Sequence, residues 1–193
     1  MGVSKYMKSA RGYTLVELLV VISIIAILSA VGLTIYTGSL KKGRITKRIE
    51  DLGAIKTALE LYYARNNSYP STSGAWRSEC AAWGSYALDQ VIPGLVPNYT
   101  VDLPSDPSMN KANNSACYIY RSDGVDYKLL DHDVGEMRAN SSADYKAQRN
   151  LIDPARDGGS LGCTVDGPLT GIWSWAVYSS CASSPSCSGS CTW

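Results

Sequence analysis

Phenylalanine is absent from this chain of 193 residues, and histidine occurs once, as His132. The aromatic residues are thirteen tyrosines and five tryptophans. Every aromatic ring therefore carries a polar handle, which suits interfaces and half-wet surfaces. The motifs of common catalysis are missing too: there is no HExxH, no GxSxG and no P-loop, and His132 has no identifiable nucleophile partner. An enzyme is not expected. No proline lies between Tyr13 and Arg65, so nothing there breaks a helix. Acid is scarce at the start: residues 1–48 hold Glu17 alone against eight bases, a net of +7, whereas residues 49–193 hold sixteen acids and ten bases, a net of −6. This asymmetry fits a membrane-proximal basic stem with an acidic soluble head. It speaks against nucleic acid as a partner, because counterion release needs clustered Lys and Arg.

Six cysteines are present, all in the second part: Cys80, Cys117, Cys163, Cys181, Cys187 and Cys191. An even number on one side of an apolar segment points to an oxidising compartment and disulfides. Zinc is the weaker reading, since Cys187 and Cys191 have three residues between them and only one histidine is available. The tail has little apolar residue to pack. Closed loops must restrain it instead, so Cys163, Cys181, Cys187 and Cys191 are expected to pin it, leaving Cys80 with Cys117.

Leu18–Ile35 runs without a charge. At ~1.5 Å per residue it is about 27 Å long as a helix, close to a bilayer's hydrocarbon core. It reads as a secretory signal peptide with a mediocre cleavage site at Ala30-Val31-Gly32, as a plain anchor, or as something defined by Glu17. Three bases precede the run and five follow it. By the positive-inside rule the head would be cytoplasmic, but the cysteines place it outside, and long domains translocate largely regardless of charge.

The helical pattern continues beyond this run. Ile45, Ile49, Leu52, Ile55, Leu59 and Tyr62 form one apolar stripe of 3.6-residue period. Lys42, Lys47, Arg48, Asp51 and Lys56 read as its polar surface. One helix of roughly 50 residues is expected, ending near Asn66-Asn67 with Tyr69-Pro70 as a stop. Beyond it, Ser71–Pro97 is loop-rich, with a short helix about Ser85–Val91. Cys117–Arg121 and Tyr127–Leu130 read as strands joined by a turn at Ser122-Asp123-Gly124. Residues 131–170 read as irregular, and Ile172–Tyr178 as a late strand.

Glu17 interrupts the apolar stretch in Gly12-Tyr13-Thr14-Leu15-Val16-Glu17-Leu18-Leu19. A carboxylate beside lipid is costly and usually functional; the plainer reading puts it at the headgroup level. With the short basic leader before it and the apolar helix after it, this string resembles the processing signal of type IV prepilins and type II secretion pseudopilins. Ile55–Pro70 is similar to the stem end of the major pseudopilin, and Leu103-Pro104-Ser105-Asp106-Pro107 to the LPxDP stretch of such proteins. The resemblance implies cleavage by a prepilin peptidase between Gly12 and Tyr13, N-methylation of Tyr13, and a pairing of Glu17 with a neighbouring subunit's terminal amine during assembly. Pairing offsets part of the cost of each charge in an apolar filament core. Tyr13 stands where the family usually has Phe, and Thr34 where a proline is common.

The expected fold is α+β and pilin-like: a long N-terminal helix, transmembrane in its first half, packed on a small antiparallel sheet, with a disulfide-pinned, loop-rich C-terminal region. The divisions are a leader (1–12), a membrane or filament-core helix (13–36), an amphipathic helix (37–66) and a head with a Cys-rich tail (67–193). The resemblance implies a structural subunit of a type IV pilus or a secretion pseudopilus; the alternative is a tip-located minor pilin acting as an adhesin. Six cysteines and a long polar tail are unlike a compact major pseudopilin and favour a pilin. Implied partners are the peptidase, identical or related subunits and inner-membrane assembly machinery. The implied place is the inner membrane, single-pass with the head outside the cytoplasm, then a filament. No cofactor is expected. Asp123, Asp126, Asp131 and Asp133 offer oxygen ligands, and major pseudopilins bind calcium in this region. The spacing lacks a full calcium-loop pattern, however, and solvated acids are the plainer reading.

Overall fold

The computed structural model describes residues 12–133, 147, 148, 150–157 and 173–179. One helix, α1 (Leu15–Asn66, 52 residues), precedes five strands: β1 (Arg77–Ser78), β2 (Cys117–Ser122), β3 (Tyr127–His132), β4 (Ile152–Asp157) and β5 (Trp173–Tyr178). They form one antiparallel sheet in the order β1-β2-β3-β5-β4. The chain divides at Lys42–Gly43 into two compact units. The α+β class and the helix-then-sheet order are as expected from the sequence.

α1 ends at the expected place. Asn67 takes a left-handed backbone (φ 51°), and its N–H donates to the Tyr63 carbonyl at 2.8 Å. Asparagine tolerates this conformation, and the bond satisfies a carbonyl that the last helical turn would leave open. Within the head, Ile45, Leu52, Ile55 and Leu59 are buried, with Ile49 and Tyr62 partly so. These are the six positions of the apolar stripe. Each fully buried Leu or Ile contributes roughly 1.5–3 kcal/mol, so the stripe alone ties this half of α1 to the sheet.

The β2–β3 hairpin closes through Asp123–Asp126. The Asp123 carboxylate accepts the N–H groups of Val125 (2.8 Å) and Asp126 (2.9 Å), and Gly124 has φ 99°. A side-chain clamp and a residue without Cβ are what a tight turn needs. Side chains alternate across the sheet. Tyr118, Tyr120, Tyr127, Leu129, Trp175 and Val177 join the cluster of the α1 stripe, whereas Cys117, Ile119, Leu130 and Ala176 pack under Cys80, Trp76, Trp83 and Met109. β2 and β3 are thus covered on both faces, which explains their apolar character.

Four expectations need correction. Arg48 and Asp51, assigned to the polar surface of α1, are buried. Residues 152–157, read as irregular, form β4; an Ile-Asp-Pro-Ala-Arg-Asp sequence hides a strand, and an edge position tolerates it. β3 runs on to His132, so Asp131 lies in a strand rather than in a solvated loop. The short helix expected about Ser85–Val91 is a single 3₁₀ turn, Leu88–Gln90, with another at Ala81–Trp83.

Candidate functional site

Two groups of residues carry the chemistry. The first lies at the start of α1. Thr14 precedes the first helical residue, and its Oγ1 accepts the Glu17 N–H at 3.2 Å. Glu17 Oε2 accepts in return the Thr14 N–H (2.8 Å) and the Thr14 hydroxyl (2.9 Å). This reciprocal pair is a capping box, which satisfies donors that the first turn cannot satisfy internally. Its sequence sign, Thr-x-x-Glu before an apolar run, is legible in the chain but does not figure in the motif reading of Glu17. Gly12 and Tyr13 lie ahead of the box and are exposed. The large apolar side chains from Leu15 to Leu28 are each at least half exposed and point all round the helix. Among the described residues nothing covers them.

Among the described residues no helix is long and apolar enough to cross a membrane. The described side chains of the apolar run extend from Leu18 to Ala30, whereas the run in the sequence continues to Ile35.

The second group sits inside the head, where α1 meets the sheet. The Arg48 guanidinium is fully buried. Its Nε donates to Asp106 Oδ2 at 2.5 Å, and its Nη2 to Asp106 Oδ1 at 3.2 Å and to Ser108 Oγ at 2.5 Å. Asp106 also accepts the Ser108 N–H. Asp131 of β3 lies beside them, with Oδ2 3.6 Å from Arg48 Nε. Asp51 accepts from the half-exposed Lys47 at 2.5 Å and from the Tyr118 hydroxyl at 3.2 Å. Burial, then the nearby Asp106, push the Asp131 carboxyl well above the usual carboxylate range, although Arg48 opposes this. The Tyr118 hydroxyl is raised too, by burial first and then by Asp131. This group joins α1, the segment around Asp106 and β3. A bidentate guanidinium–carboxylate pair fixes both distance and plane, so Arg48 locks the Leu103–Pro107 segment onto the helix. On the other face, Lys128 pairs with Asp153 at 2.7 Å, tying β3 to β4.

Of the six cysteines, Cys80 and Cys117 form a disulfide across a sequence separation of 37. Cys163, Cys181, Cys187 and Cys191 lie outside the described residues. The four oxygen-ligand candidates are not brought together. Asp123 clamps the hairpin turn, Asp126 accepts from the Ser179 hydroxyl, Asp131 is buried beside Arg48, and Asp133 follows β3 in a left-handed conformation. Among the described residues no group of three metal-ligating side chains occurs.

Residues 7–33 match the family described as the prokaryotic N-terminal methylation motif. The type II secretion system core protein G of Klebsiella pneumoniae is 36% identical over 101 residues, covering 52% of this chain and 71% of the relative. Core protein G of Escherichia coli (strain K12) is 32% identical over 102 residues, covering 50% and 66%. The prepilin peptidase-dependent protein D of the same strain is 47% identical over 55 residues, covering 28% and 38%. The chain thus spans less than two thirds of the length of these two E. coli relatives. No solved structure matches the chain. With this agreement behind the capped apolar helix and the helix-on-sheet head, the chain belongs to the type IV pilin and type II secretion pseudopilin family.

Proposed function

We propose that the chain is a precursor subunit that is cut between Gly12 and Tyr13, N-methylated at Tyr13 and polymerised with identical or related subunits. The observation that carries this reading is the helix start. An apolar surface exposed on all sides begins at Leu15, one residue after Thr14 of the capping box and two after Tyr13. Such a surface needs lipid before assembly and other helices after it. The expected course is anchoring in the inner membrane through residues 13–36 with the head outside the cytoplasm, then transfer to a filament by the assembly machinery. The role is structural. Between the two kinds of filament, the match favours a secretion pseudopilus. The likeness to core protein G extends over about a hundred residues, more than leader and helix together, whereas that to protein D covers 55. The similarity to core protein G does not favour the alternative, a tip-located minor pilin acting as an adhesin.

Intact mass and N-terminal sequencing of the protein from its native host test the processing. The expected mature chain starts at Tyr13 and carries one added methyl group. A start at Met1, or after Gly32, would remove the basis for assembly through a free Tyr13 amine.

A further inference from the structure

We propose that the joint between α1 and the sheet is a proton-dependent clasp, in which the buried Asp131 is held as the neutral acid and loosens the joint when it ionises. The inference concerns the folded head and stands apart from the filament reading. Three carboxylates (Asp51, Asp106 and Asp131) are buried around one buried cation, Arg48. Asp106 takes Arg48 in a two-point grip and adds the Ser108 N–H. Asp51 has Lys47 and the Tyr118 hydroxyl. Asp131 is the carboxyl left over. It is fully buried, neither of its oxygens has a hydrogen-bond partner, and Arg48 Nε at 3.6 Å is already committed to Asp106.

Among the described residues, the groups that face Asp131 come from three elements and one segment. From α1 come Arg48 and Asp51, and from the preceding segment comes Asp106. Its register partners are Tyr118 on β2 and Trp175 on β5, which bring no formal charge. Another charged pair of the sheet, Lys128–Asp153, meets at 2.7 Å on the opposite face, and His132, next in the chain, stacks edge-on against Trp83. A buried carboxylate that accepts no hydrogen bond and must share the Arg48 cation with Asp106 is disfavoured, and the group takes a proton instead.

The sign follows. The folded pKa of Asp131 lies above the ordinary value of 3.8, so between the two the folded head holds a proton that the unfolded chain releases. Its contribution to stability is complete below the ordinary value and is lost as pH rises through the raised one. Acid tightens the joint, and alkali loosens it.

The test uses the full chain in detergent micelles, as wild type and as Asp131→Asn. Asparagine has nearly the same shape but cannot ionise. Two readouts are needed: the infrared carbonyl band of protonated carboxyl groups in mildly acid buffer, above the ordinary carboxylate range, and the urea midpoint from mildly acid to mildly alkaline buffer. Expected are a band in wild type that Asp131→Asn lacks, and a midpoint that falls with rising pH in wild type more steeply than in Asp131→Asn. The absence of the band from wild type, its survival in the variant, or equal slopes would overturn the proposal. Should the variant fail to fold, the wild-type band and slope still decide.

Discussion

Arg48 shows how one residue can be misread by composition and read correctly by position. A basic residue on an amphipathic helix is ordinarily solvent-facing. Yet Arg48 lies three residues after Ile45 and four before Leu52, inside the buried stripe, and Asp51 lies four before Ile55. Their spacing carried the signal that their charge concealed. What the sequence could not supply was the partner: Asp106 is 58 residues away, and only the fold brings it to the guanidinium. Replacing Arg48 by Met should therefore be costly, because it strands the Asp106 carboxylate in the interior. Breaking a buried pair in this way costs on the order of 3–5 kcal/mol. Arg48→Lys should be intermediate, since an ammonium cannot grip a carboxylate at two points. Adding Asp106→Leu to Arg48→Met should recover part of the loss, because two apolar groups leave no charge behind. Chemical denaturation of the four proteins checks this order. A double variant as weak as Arg48→Met alone would mean that the pair is not what Arg48 supplies.

At the scale of elements, periodicity and turn chemistry were legible wherever they were strong. α1, the hairpin with its Asp-Gly turn and the Trp173–Tyr178 strand all stand within a residue or two of where the pattern put them. β4 was not legible, because polar residues and a proline deprive it of alternation, and its pairing to β5 is set by tertiary contact alone. The Cys80–Cys117 bridge occupies the face of the sheet away from α1, where apolar residues are fewer: Ile119, Leu130 and Ala176 with Trp76, Trp83 and Met109. It ties the loop before β2 to the first residue of β2. Closing a loop of this size removes freedom from the unfolded chain worth roughly 3–4 kcal/mol. The double substitution of Cys80 and Cys117 to Ala should lower head stability by about that amount. It should also loosen the cover over Ile119 and Leu130 more than the α1 side. Hydrogen exchange would show this as faster exchange of the amides between Ala81 and Ala116 while those of Leu52–Leu59 in α1 keep their protection. Uniform acceleration across the head would contradict the local role.

For the whole molecule, the question is what Glu17 does, since the structure gives it one task and the family resemblance another. In the single chain its carboxylate caps α1 through Thr14. In the proposed filament it faces the Tyr13 amine of a neighbour. The two tasks make different demands. Capping needs an acceptor oxygen at the third helical position, and glutamine serves as well as glutamate. Neutralising a terminal ammonium in an apolar core needs a charge, which glutamine lacks. Glu17→Gln therefore separates the tasks where Glu17→Ala removes both. The cap itself survives cleavage, because the Thr14 N–H and hydroxyl remain in a chain that begins at Tyr13. Glu17→Gln should thus insert and be processed like wild type, with an intact first turn, and still fail to polymerise in quantity. Glu17→Ala should show the same assembly defect with a frayed helix start added. The measurement compares sheared filaments with processed, membrane-retained protein for the three chains in the native host. Normal filament yield from Glu17→Gln, with a defect confined to Glu17→Ala, would leave Glu17 as a capping residue only. The drive to assemble would then rest entirely on the apolar surface from Leu15 to Leu28.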